Sequence, residues 1–216
     1  MAKLRIAIVT PRYGATVGGG AEALARQYAI RLAGRMDVTV LTTCALEYQT
    51  WRDHFTAGVE SEEGVTVRRF SVPRPRDPKE FDALSANLLS SPGDHSEAAW
   101  MDAQGPNAPG LLDHLATQGE TYDAVLFVPY LYATTVRGLP LVADRAILVP
   151  ALHDEPPLRL EIFRQILESP AAWVFLTPEE QELAEMRFAI DPSRSSLVGA
   201  GIDPPPDVDG TSFAAE

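Results

Sequence analysis

A three-layer α/β domain built on a mostly parallel sheet of about seven strands is the fold class this sequence predicts. Three observations carry it. Short, continuously apolar runs of strand length recur along the chain, as parallel strands covered on both faces require. Helical patterns alternate with them. Seven strands in 216 residues leave about 31 residues per unit, the size of a strand with its crossover helix. Right-handed crossovers and a layered architecture follow.

The elements can be justified in order. The first strand is Leu4 to Thr10, LRIAIVT. A helix follows from Ala21, because apolar residues at 21, 24, 25, 28, 29, 32 and 33 form one stripe of period 3.6, with Arg26, Gln27 and Arg31 opposite. Gly34 supplies its stop. Val38 to Thr42, Val65 to Phe70, Ala124 to Val128, Ala146 to Val149, Trp173 to Leu176 and Ser196 to Val198 are the later strands. Between the last of these, one helix is expected from Pro156 to about Glu168, with Leu158, Ile162, Phe163, Ile166 and Leu167 on one side. Another starts at Thr177-Pro178-Glu179-Glu180, a capping box with proline at the first helical position, and runs to about Phe188.

Two regions break the rhythm. Residues 73–119 hold no strand-like run, only short helical pieces at Phe81–Leu89, Glu97–Gln104 and Ala108–Gln118. Such an elaboration shapes a binding wall or lid, or is a packed helical insertion. Residues 201–216, with three prolines and four acidic side chains, read as a linker or a cut end. The domain proper is therefore expected over residues 1–200.

Composition bounds the function. A chain of this length buries about 70% of its unfolded surface, so a core needs no staples. Lys and Arg number 18 against 30 Asp and Glu, a formal charge of −12, which disfavours nucleic acid and anionic membranes as electrostatic partners. The basic residues Arg68, Arg69, Arg74, Arg76 and Lys79 cluster but read as a solvated edge, so membrane association is not supported. A single cysteine, Cys44, excludes an internal disulfide and any multi-thiolate metal site. No run reaches transmembrane length, and MAKLRIAIVT lacks a cleavage signature. A cytoplasmic location is expected.

The chemistry-bearing residues lie where strands end. After the first strand comes TPRYGATVGGGAE. Gly18, Gly19 and Gly20 precede a helix, so unpaired backbone N–H groups and the helix dipole face a hollow without Cβ atoms, suited to a phosphate or diphosphate. The alternative is a flexible loop. The spacing is not that of the dinucleotide fingerprint, and Ala21-Glu22-Ala23 stands where a Walker A loop needs Lys and Ser/Thr. Arg12 either pairs with a phosphate or is solvated, and Tyr13 lies beside it in the loop. His153 follows a strand in LVPALHDEPP, with Asp154 and Glu155. It is either a ligand-binding residue at the carboxyl edge or a surface loop residue next to a helix cap. Tyr130 and Tyr132 follow another strand and either stack on a sugar or base or pack in the core. His54, His95 and His114 lack ligand spacing, surface positions account for them, and no metal site is expected. Cys44 reads as a small buried apolar residue.

Taken together, RIAIVTPRYGATVGGGAEALARQYAIRLAGRMDVTVLTT, LVPALHDEPP, TPEEQELAEMRF and SSLVGAGIDP resemble, in order, the N-terminal half of the retaining glycosyltransferases of family four. That family has the GT-B fold, in which two Rossmann-like domains face across a cleft. The resemblance implies an acceptor-side domain of an enzyme that moves a hexosyl unit from a nucleotide-diphosphate sugar to a hydroxyl acceptor. It implies no metal and no other cofactor. By resemblance, Gly18, Gly19 and Gly20 approach the donor diphosphate, Glu22 faces the acceptor side, and His153 hydrogen-bonds the donor sugar. Arg12, Tyr13, Tyr130 and Asp154 would line the acceptor side. The paired glutamates of the family's C-terminal, donor-binding domain are absent from these residues. This chain is thus expected to be inactive alone, as a partial chain or one half of a split enzyme. The readings that compete are a stand-alone phosphate- or nucleotide-binding module acting with a protein partner, and another α/β enzyme using His153 and Asp154 in acid–base work.

Overall fold

The computed structural model describes residues 3–90 and 97–201. Eight strands form one sheet: β1 Arg5–Val9, β2 Asp37–Thr43, β3 Gly58–Glu62, β4 Val65–Phe70, β5 Ala124–Phe127, β6 Ala146–Leu148, β7 Ala172–Phe175 and β8 Ser195–Leu197. Their order across the sheet is β3-β4-β2-β1-β5-β6-β7-β8. Every pairing is parallel except β3 with β4. Around the sheet lie α1 Gly20–Ala33, α2 Pro78–Ser90, α3 Glu97–Gln104, α4 Pro109–Gln118, α5 Ala133–Gly138, α6 Glu161–Glu168 and α7 Pro178–Arg187.

The pleat of β1 explains the layers. Ile6 and Ile8 join one apolar cluster with Leu24, Ala25 and Ala29 of α1. Ala7 and Val9 join the other, larger cluster, with Trp100, Leu111, Leu115 and Phe163 from α3, α4 and α6. Alternate residues thus feed opposite faces, and both faces are covered. The described parts of segment 73–119 form α2, α3 and α4, whose Leu88, Trp100, Met101 and Leu111 are buried in the core.

The parallel α/β fold agrees with the sequence reading, with differences that have physical causes. β3 is an eighth, antiparallel edge strand, GVESE, exposed along its length except for half-buried Glu62. It has no apolar face to announce it. The helix expected from Pro156 is a 3-10 turn at Pro156–Arg159 and then α6, divided at Leu160, whose ψ of 140° is extended. α1 ends as expected at Ala33, but Gly34 follows in right-handed backbone, φ −62°. Residues 202–216, most of the expected linker, and His95 lie outside the described residues.

Topology places the site. From β1 the chain moves outward to β2 and the β3–β4 hairpin, then returns to the other side as β5. The strand order therefore reverses beside β1, and the crevice above the carboxyl ends of such strands is where open α/β sheets take ligands.

Candidate functional site

The loop after β1 climbs to this edge and ends in three exposed glycines, Gly18, Gly19 and Gly20. Gly19 is the N-cap of α1 with φ 138°, and no side chain caps the helix. A Cβ on Gly19 would lie 2.1 Å from Glu22 Oε2 and 3.2 Å from the Arg12 guanidinium, whereas at Gly18 and Gly20 it would meet open space. Gly19 is thus required by backbone and packing together. Its neighbours leave the helix N-terminus open to solvent, with its amides and dipole directed outward.

Below the glycines, Arg12 and Glu22 form a buried ion pair, with Nε at 3.0 Å and a terminal nitrogen at 2.6 Å from Glu22 Oε1. Arg12 also donates to the Leu46 carbonyl at 3.2 Å. Neither sequence alternative for Arg12 describes this: the guanidinium is held by a carboxylate three residues into α1's own N-terminal stretch. Tyr13 is fully buried, and among the described residues its hydroxyl has no hydrogen-bond partner. Burial, reinforced by Glu62 and Glu63, pushes its hydroxyl up to about 12. The β3–β4 hairpin pins this limb of the loop. Arg69 donates to the Tyr13 carbonyl at 2.8 Å and to Glu60 and Glu62, and Glu62 accepts from the Ala15 amide at 2.8 Å. The basic cluster of the sequence is therefore dispersed: Arg69 is buried among carboxylates, Arg74 pairs with Glu80, and Arg76 lies between the Trp51 and Phe81 rings.

The second contributor is the loop after β6. Ala151 takes a left-handed φ of 53°, and Leu152 is buried while His153 and Asp154 are exposed. Glu180 of α7, itself only 6% exposed, accepts the Leu152 amide at 2.8 Å and the Leu176 amide at 2.6 Å. Thr177 caps α7 through the Glu180 amide at 3.1 Å. Half of the capping box forms as expected. The glutamate, however, turns outward from its own helix to hold the His153 loop. Asp154 pairs with Arg187 at 2.7 Å rather than with His153. Tyr130 is buried in the larger core cluster and donates to Glu155 Oε1 at 2.7 Å. Burial first, then the adjacent Glu155, raises its hydroxyl far above the ordinary tyrosine range.

These loops border an open cavity of about 520 Å³ that has Gly20 on one wall and His153 and Asp154 on another, with Leu24, Thr177 and Glu180 between. Of the residues singled out in the sequence, the structure brings Gly20, His153 and Asp154 together around this cavity. Gly19 adjoins it as the cap of α1. Arg12, Glu22, Tyr13 and Tyr130 do not line it. Glu180 was missed as a site residue, although its place in the capping box marked it as special. Among the described residues no lysine or arginine lines the cavity, whereas Asp154, Glu179 and Glu180 do, so an anion there would depend on backbone amides and the α1 dipole from this chain. Among the described residues, no cluster of three His, Cys, Asp or Glu could hold a metal ion. No helix among them is long and apolar enough to cross a membrane.

The doubly wound sheet, the reversal beside β1 and the glycine loop at that reversal define a Rossmann-like α/β domain of the GT-B kind. HepE from Anabaena, solved in complex with UDP, superposes with a TM-score of 0.51 at 11% identity, covering 93% of this chain and 45% of that protein. The E. coli trehalose-6-phosphate protein bound with UDP-2-fluoro glucose gives 0.49 at 13% identity, over 92% of this chain and 49% of that one. The α,α-trehalose 6-phosphate synthase of Burkholderia multivorans gives 0.46 at 11% identity, over 86% and 43%. The likeness is one of fold, and this chain spans less than half the length of each. The sequence itself matches no family model and no curated protein.

Proposed function

We propose that this chain is the acceptor-side domain of a retaining glycosyltransferase, transferring a hexosyl unit from a nucleotide-diphosphate sugar to a hydroxyl acceptor. One observation carries the reading: the open N-terminus of α1 at Gly20 and the exposed His153 face a single cavity at the carboxyl edge of the sheet. HepE, of like fold, was solved in complex with UDP. A leaving diphosphate gathers negative charge as its bond to the sugar breaks. Amides and a helix dipole already aimed at that point stabilise it without reorganising. His153 donates a hydrogen bond to the transferring sugar and positions it, with no metal. Glu22 keeps the glycine loop in register from the acceptor side through Arg12.

Among the described residues no lysine or arginine lines the cavity; in this reading the neutralising charge comes from a second, donor-binding domain. These 216 residues then bind donor weakly and turn nothing over. The test is the protein translated from the full reading frame, assayed with UDP- and GDP-hexoses. His153→Ala is expected to lower kcat by 100-fold or more with little effect on folding. Unchanged turnover in that variant, or sub-micromolar donor affinity in the 216-residue chain by calorimetry, refutes the reading. A stand-alone nucleotide-binding module would show that affinity without turnover.

A further inference from the structure

His153 is exposed, and among the described residues no hydrogen bond or ion pair engages its imidazole. Its neighbours in the chain are the opposite case. Before it, the Leu152 amide is held by Glu180 at 2.8 Å. After it, the Asp154 carboxylate meets the Arg187 guanidinium at 2.7 Å, and the Glu155 carboxylate accepts the Tyr130 hydroxyl at 2.7 Å. The Glu155 amide closes the turn by donating to the His153 carbonyl at 2.9 Å. Glu180 and Arg187 lie about two turns apart on α7, with buried Ala184 between them. One helix face therefore grips the loop on both sides of His153, while Tyr130 holds it from the core. The loop enters this grip through Ala151, left-handed at φ 53°.

Stability alone does not account for so many anchors on a surface loop. The Arg187–Asp154 pair, with side chains 32% and 60% exposed, adds little to folding because water screens it. Anchors on either side of one unbonded side chain instead fix where that side chain stands, as a group that must meet a reacting centre requires. We propose that Arg187 and Tyr130 are positioning residues that act on hexosyl transfer through His153, Arg187 by holding Asp154 and Tyr130 by holding Glu155. The inference rests on the functional reading above and deepens it, since it gives a task to two residues that do not line the cavity. Glu180 is a third anchor, but its bonds to Leu152 and Leu176 tie it to folding as well. Arg187 and Tyr130 are the ones that separate the two effects.

The experiment measures nucleotide release from UDP- and GDP-hexoses by the protein translated from the full reading frame. Arg187→Gln and Tyr130→Phe are each expected to lower kcat ~10-fold or more, since a misplacement of ~1 Å can cost ~100-fold. Arg187→Gln should do so with its urea midpoint nearly unchanged, and Arg187→Lys, which keeps the charge, should retain most of the turnover. In a His153→Ala background neither substitution should lower kcat further, because nothing is left to place. Hydrogen exchange on the 216-residue chain gives a second readout. The Glu155 amide should exchange ~2- to 5-fold faster in Arg187→Gln, while the amides of β1 keep their protection. Losses that simply add to that of His153→Ala, or Glu155 exchange unchanged in both variants, overturn the proposal. Parent turnover in Arg187→Gln and Tyr130→Phe beside a loss in His153→Ala defeats this inference alone. Unchanged turnover in His153→Ala defeats the functional reading instead.

Discussion

Glu180 holds Leu152: its Oε1 accepts the Leu152 amide at 2.8 Å across 28 residues of chain, while Oε2 accepts Leu176 at 2.6 Å. One buried carboxylate thereby fastens the loop that presents His153 to the turn that starts α7. Without it, the buried Leu152 amide and the half-buried Leu176 amide would lose this partner, and the Leu152 loop already holds Ala151 in left-handed backbone.

Glu180→Ala is expected to destabilise the chain by about 2–3 kcal/mol, the range for losing hydrogen bonds to a charged group with the donors left buried. Glu180→Gln keeps one acceptor oxygen and should cost about half of that. Urea unfolding gives the totals. Hydrogen exchange locates them, because the Leu152 and Leu176 amides should lose protection before the strand amides of β1 do. Uniform loss across the sheet would show that Glu180 acts on the whole domain rather than on this loop.

Three adjacent glycines look equivalent in sequence and differ in structure. Gly19→Ala forces a methyl group to 2.1 Å from the Glu22 carboxylate at φ 138°. The conformation alone costs about 1–3 kcal/mol, and displacement of Glu22 from Arg12 adds to it, since a buried charge deprived of its partner costs about 3–5 kcal/mol. Gly20→Ala, at the first turn of α1 with open space around it, should leave stability unchanged or raise it by up to about 1 kcal/mol. Thermal unfolding of the two variants side by side tests the contrast. Equal effects would mean that the Arg12–Glu22 pair does not sit against Gly19.

What the sequence disclosed follows from how each feature is encoded. The parallel strands were legible because residues such as Ile6, Ala7, Ile8 and Val9 are buried on both faces and read as unbroken apolar runs. β3 was not, because an exposed edge strand carries GVESE and gains its place only by pairing with β4. The glycine loop and the His153 loop were legible as strand-end segments. Their support was not: Arg69 reads as one member of a basic run, yet it is buried and holds the Tyr13 carbonyl. Arg12 and Glu22 were both noticed, but that they hold each other depends on the turn of the loop between them. Pairings set by tertiary approach leave no spacing to read.

The buried hydroxyl of Tyr13 gives a pH signature. Its value is raised from 10.0 to about 12, chiefly by burial and then by Glu62 and Glu63. The neutral form is thus the one the fold prefers, and the unfolded chain releases this proton first as pH rises. The contribution is fully present below pH 10 and is lost as pH climbs through about 12. Tyr13→Phe removes the titrating group together with a buried hydroxyl that has no partner among the described residues, so it should cost nothing at pH 7 and flatten the alkaline fall in stability. Urea midpoints measured from pH 7 to 11.5 for both proteins decide the matter. A variant that loses stability in alkali as steeply as the parent would assign the transition to another group.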